Sequence, residues 1–199
     1  MSRILLCAAG AALFFSIGYV QAQTAQAWPT YPIKDAPAAL RPAIQHGDMI
    51  IVSIQNATLS ELTRELTERG AGGAIRVCHM AANTMVDRIA REEGIPAGRT
   101  SAHLRTSSNA PRAWAAPIVA RYADSRAAGL DGFAVDLGNR VGIMRPIAHR
   151  STCSPCHGLE SQLTPKVREE LKDRYPKDRA TGFKDGDLRG WLWVEVPKK

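Results

Sequence analysis

The run Cys153-Ser154-Pro155-Cys156-His157, followed by Gly158, constrains this chain more than any other stretch. Two cysteines separated by two residues, with a histidine directly after the second, form the attachment pattern for c-type haem. Each thiol adds to one haem vinyl as a thioether, and the short link carries the neighbouring imidazole beneath the porphyrin to bind iron. A disulfide between Cys153 and Cys156, or a thioredoxin-like dithiol, uses the same two-residue spacer but gives His157 no work. A zinc site wants a fourth ligand at a familiar spacing, and no second Cys pair or Cys/His pair supplies one. Attachment of one haem c is the reading that uses all three side chains.

Residues 1–27 read as a cleavable signal peptide. Arg3 is the basic start, Ile4 to Val20 the apolar segment, and small residues around Gln21-Ala22 and Gln26-Ala27 offer cleavage sites. A retained membrane anchor is the alternative, and the apolar run is borderline in length for one. Export predicts a periplasmic protein, where cytochrome c maturation takes place. Cys7 leaves with the signal, and the mature chain keeps Cys78, Cys153 and Cys156. If haem takes two, one remains as a reactive thiol, an intermolecular bridge or a ligand.

With 199 residues, 45% of them hydrophobic, the chain is expected to form one globular domain. Its formal charge of +7 falls by one when Arg3 is removed. A basic surface of this size suits an acidic redox partner or anionic lipid. Nucleic acid is excluded as a partner, because an exported chain with no binding motif has no use for one.

Residues 28–46, with Pro29, Pro32, Pro37 and Pro42, read as a leader or linker, which leaves 47–199 for the domain. Ile51, Ile54, Leu59, Leu62 and Leu66 predict a helix over 48–68, with Gly70 as its stop. Thr58 and Glu61 match a capping box, so one helix and two are both open here. A second amphipathic pattern over 74–93 carries Ile75, Cys78, Ala82, Met85 and Ile89 on one stripe and ends at Gly94. Cys78 on that stripe is either a small core residue or a ligand. An irregular basic stretch, 99–114, precedes a helix predicted over 117–128. Gly138-Asn139 marks a hairpin turn within 133–147, Thr164 and Pro165 open a helix to Arg174, and Trp191 to Val196 reads as a strand.

Several separate stretches then resemble one family. They are Ala74 to Cys78, the loop from Arg105 through Asn109-Ala110-Pro111 to Trp114, Arg145-Pro146-Ile147, Tyr175-Pro176-x-Asp178-x-Ala180-x-Gly182, and Gly186-Asp187-x-Arg189-Gly190. The chain is similar to the single-haem c-type cytochrome domains of PAS-like fold, the Tll0287-like family, over roughly Gly47 to Pro197. The resemblance implies an α+β fold: a PAS-like antiparallel sheet with N-terminal helices packed around one covalently bound haem. It also implies an unusual axial pair, His157 on one face of the iron and Cys78 on the other. Arg105, Asn109, Trp114 and Arg145 become candidates for haem-propionate or pocket contacts. The chain departs from the family loop at Thr106, Ser107 and Ala115.

Two functions follow as expectations. One is a redox or diatomic-gas sensor in which Cys78 is a labile ligand; the other is a low-potential electron carrier with a periplasmic redox or signalling partner. Candidates for a ligand swap are His79 and Met80, next to Cys78, and Met144 and His149 from the hairpin side. His46 and His103 read as surface. No constellation of acid, base and open site suggests an enzyme.

Overall fold

The computed structural model describes residues 27–198, apart from the side chains of residues 77–83. The predicted signal peptide therefore lies outside the described residues, save for Ala27.

The stretch expected to be a leader is built into the domain. β1 (Thr30–Pro32) pairs antiparallel with β3 (Phe133–Asp136), and Ile33 N donates to Gly132 O at 3.1 Å. Ala36, Leu40, Ala43 and Ile44 are buried in the main core. Two of the four prolines mislead because they occupy positions that need no donor: Pro32 ends an edge strand, and Pro42 sits in the first turn of α1 (Arg41–Glu93).

α1 is helical throughout except at Gly70, whose φ of 65° and ψ of 178° only glycine adopts readily. Ile54 and Val86 are 32 positions apart, which in a straight helix is about 48 Å at 1.5 Å per residue. Both lie in one core cluster, so the chain turns back at Gly70 and the two halves pack as a helical pair. The expected stop at Gly70 thus becomes the corner of that pair. Thr58 starts no new helix, because its hydroxyl donates to Ile54 O at 2.7 Å from inside a continuous turn.

Five antiparallel strands form one sheet in the order β1-β3-β4-β5-β2, with β2 at Ala97–Thr100, β4 at Arg140–Ala148 and β5 at Leu188–Pro197. Alternation sorts their side chains. Ala134, Val141, Ile143, Leu192, Val194 and Val196 face α1, where they meet Ile44, Ile51, Ile54, Val86 and Ile89. Each of the Val, Ile and Leu side chains, fully buried, contributes about 1.5–3 kcal/mol. Gly47 lets the helix approach closely: a Cβ there would stand 2.6 Å from Ile143 Cδ1. Phe133, Val135, Met144, Trp191 and Trp193 take the other face, with Trp114, Ile118 and Val119 over them.

The hairpin forms at Gly138, with φ of 87° and its N–H donating to Asp136 Oδ1 at 2.9 Å. α2 (Ala116–Arg121) is much shorter than the helix predicted over 117–128. Beyond it the backbone pairs with the chain entering β5: Ala127 N donates to Gly186 O and Leu188 N to Ser125 O, both at 2.9 Å. β2 overlaps the start of the stretch read as irregular; Ala97-Gly98-Arg99-Thr100 shows no apolar alternation, and the strand forms by pairing with β5. α3 (Ser154–His157) and α4 (Pro165–Arg174) complete the chain, the latter capped by Thr164 Oγ1 accepting from Val167 N at 3.3 Å.

Candidate functional site

The haem motif follows directly from β4. A 3₁₀ turn, Ser151–Cys153, runs into α3, so Cys153, Cys156 and His157 stand at i, i+3 and i+4 on neighbouring turns of one helical face. No disulfide joins the two cysteines. Cys156 packs beside Ile75 of α1, Leu163, and Val167 and Leu171 of α4.

His157 has its tautomer set by the loop behind it. Nδ1 lies 2.7 Å from Ala180 O. A carbonyl can only accept, so Nδ1 carries the proton and Nε2 keeps the lone pair that binds a metal. Burial, then the charges of Arg189 and Arg105, hold the imidazole pKa well below its usual range, and the ring is neutral at pH 7. Phe183 N donates to His157 O at 3.1 Å and Gly182 N to Gly158 O at 2.8 Å, which straps the loop after α4 against the motif.

Arg105 belongs to this frame. Its Nη2 donates to Cys156 O at 2.6 Å and to Ala180 O at 3.3 Å, and its Nε to Asp178 Oδ2 at 3.1 Å. Asp178 in turn accepts from Ala180 N at 2.8 Å, and the Arg105 guanidinium lies 5.6 Å from the centre of the Tyr175 ring. The side chain offered by sequence as a propionate contact is thus committed to protein partners around the motif.

Arg145 and Trp114 are placed elsewhere. Arg145 grips Asp48 of α1 with Nε at 2.8 Å and Nη2 at 2.6 Å, and its Nη1 donates to Asp131 Oδ1 at 2.7 Å. Trp114 is buried on the sheet face away from α1, donating from Nε1 to Glu195 Oε1 at 2.8 Å. Asn109 ends a 3₁₀ turn, Ser107–Asn109, and is half-buried. Of the four pocket candidates, only Arg105 bonds to the motif among the described residues.

Cys78 is carried by the second half of α1, one turn beyond Ile75. Its side chain lies outside the described residues, as do those of His79 and Met80. The helix around it is anchored by Arg76, whose Nη2 donates to Glu170 Oε1 at 2.5 Å. Glu170 is buried on α4 and also bonds Arg174 at 2.8 Å. Its bonds to Arg174 and Arg76 outweigh burial and bring its pKa down to about 2.

Two residues assigned no role beside His157 from sequence stand near it. Arg189, which belongs to the last quoted stretch of the chain, has Nε 3.2 Å from His157 Nδ1. Burial lowers its pKa to about 10. His149, considered only as a swap ligand, is buried with its ring stacked on Phe183 at 5.8 Å. Burial lowers its pKa too, with Asp187 and Asp185 opposing. His103, read as surface, contacts Phe183 edge-on and pairs with Asp124 at 3.1 Å. Met144 is wholly buried in the sheet. A strand whose last residue before a glycine is charged was the available signal for Arg189, because such glycines mark bulges.

Fold and site together define an α+β domain: a five-stranded antiparallel sheet under a long N-terminal helical pair, with the Cys-x-x-Cys-His run on a short helix of its own. The chain belongs to the Tll0287-like family, whose family model matches residues 19–197. It is also similar to a solved structure, that of the cyanobacterial heme-protein Tll0287, with a TM-score of 0.52 and 22% identity over 74% of this chain and 95% of that one. At this identity the likeness establishes the fold. No curated protein matches the chain.

Proposed function

We propose that this protein is an exported single-haem c-type cytochrome that acts as a redox or diatomic-gas sensor, with Cys153 and Cys156 holding the haem and His157 and Cys78 as the axial pair. The observation that carries the reading is the prepared imidazole: His157 shares a helical face with both cysteines and keeps Nε2 available by giving its Nδ1 proton to Ala180 O at 2.7 Å. Residues 1–27 support export to the periplasm, and the similar solved protein is a heme-protein. Bound here, haem would supply a one-electron couple and, once its sixth position opens, a place for a diatomic gas.

The chain's own residues divide the work. His157 stays fixed by Ala180 and the strapped loop. Cys78 belongs to the half of α1 that also packs Ile75 beside Cys156, and would be the second ligand. As a thiolate it would favour ferric haem iron, and on the ferrous iron, which binds thiolate more weakly, it would take a proton from solvent and leave as a thiol. No acid/base pair for enzymatic turnover is part of the reading. The low-potential electron carrier is the second reading, favoured by the basic charge of +7, which suits an acidic redox partner.

Optical and EPR spectra of the purified protein and Cys78→Ala, in both redox states, test this. A pyridine haemochrome of c type is expected in both, lost in Cys153→Ala/Cys156→Ala. Ferric Cys78→Ala is expected to lose a low-spin thiolate signature, and identical ferric spectra would remove Cys78 as ligand. Carbon monoxide binding after reduction supports the sensor, whereas six-coordination retained through the cycle supports the carrier.

A further inference from the structure

The ladder between β4 and β5 contains one irregularity. Ile147 pairs with Gly190 and Ala148 with Leu188, so Arg189 is the extra residue of a bulge. Bulges re-aim a side chain that regular pairing would send elsewhere. Gly190 permits the bend, since a Cβ there would stand 2.5 Å from Thr100 O. Ser101 Oγ pins the turn by donating to Arg189 O at 2.8 Å.

The re-aimed guanidinium points at the proximal histidine. Nε is 3.2 Å from His157 Nδ1, Cζ lies 5.2 Å from the centre of the Phe183 ring, and Nη1 donates to His103 O at 3.5 Å. Nδ1 already donates its proton to Ala180 O and does not accept from Arg189, so the contact is one of charge against ring. Among the described residues no carboxylate forms an ion pair with Arg189, and the nearby Asp178 is bonded to Arg105. Arg189 is half-buried, and its cation sits beside His157 with no ion pair from the described side chains.

We propose that Arg189 is a positioning residue that sets the reduction potential of the site, its positive charge beside His157 favouring the reduced state. The assignment rests on His157 being the proximal haem ligand. Reduction adds one electron, from dithionite in the titration below, and His157 remains neutral in both states. Removing the cation therefore favours the oxidised form.

Redox titration of the holoprotein tests this with Arg189→Gln and Arg189→Lys, each made also in the Cys78→Ala background. Arg189→Gln is expected to raise the ferric-to-ferrous ratio at a given ambient potential about tenfold, a downward shift of about 59 mV for one electron. Arg189→Lys keeps the charge and is expected to restore most of the wild-type potential. The same ordering is expected without Cys78, because Arg189 acts from the His157 side. A wild-type potential in Arg189→Gln, or equal shifts in both variants, overturns the proposal while leaving the haem reading intact. Absence of a c-type haemochrome in the wild type overturns the haem reading itself, and this proposal with it.

Discussion

The guanidinium of Arg105 donates to Cys156 O, to Ala180 O and to Asp178, so one side chain fixes both the residue before His157 and the carbonyl that orients its ring. The Arg105 and Asp178 side chains are only 13% and 10% exposed, which places the pair in the class where deleting one partner strands the other. Arg105→Ala is accordingly expected to cost about 3–5 kcal/mol. Urea unfolding of the holoprotein measures it. A loss below about 1 kcal/mol, the value of an exposed pair, would mean that Arg105 is not part of the frame. Glu195 receives Trp114 Nε1 at 2.8 Å and Arg112 Nε at 3.0 Å, so Trp114 ties the second face of the sheet together.

Among the elements, the second half of α1 and α4 form the unit on which Cys78 depends. Their apolar contact is Ile75 against Val167 and Leu171, and their polar clasp is Arg76, Lys166 and Arg174 around Glu170. The Glu170 pKa is depressed from 4.5 to about 2, so the clasp's stabilisation is complete above about pH 4.5 and is lost as pH falls through the folded value. Denaturant midpoints measured from pH 7 to pH 2 are expected to show this fall in the wild type. Glu170→Gln should be less stable at pH 7 and lose less on acidification, and parallel curves for the two proteins would contradict the clasp. If Cys78 is a ligand, Glu170→Gln should also weaken the thiolate signature of the ferric protein. Gly70 is the corner that lets this half of α1 lie against both the sheet and α4, because φ of 65° with ψ of 178° breaks the helix without a loop.

For the whole molecule, the N-terminal segment closes one edge of the sheet. β1 covers β3 through the register Thr30↔Val135 to Pro32↔Phe133, and Ile33 packs against the main core. Removing residues 27–35 is expected to lower the urea midpoint and, by opening the edge of β3, to promote association detectable by light scattering. A truncated protein as stable as the longer one and no more prone to associate would show the segment to be dispensable.

The features legible from sequence are those that neighbours along the chain create. The 153–157 motif, the break at Gly70, the hairpin at Gly138 and the cap at Thr164 all depend on residues within a few positions of one another, where sterics and helical spacing act alone. The resemblance of scattered stretches added the α+β class, which the five-stranded sheet bears out. Tertiary structure decided what depends on distant partners. β1 and β2 exist because β3 and β5 accept them, and α2 stops early because the chain near Ala127 pairs with the approach to β5. Arg145 finds Asp48 across 97 positions and Trp114 finds Glu195 across 81, which no local pattern encodes. The same is true of Arg189: its charge is written in the sequence, but its direction toward His157 comes from a one-residue slip between two strands.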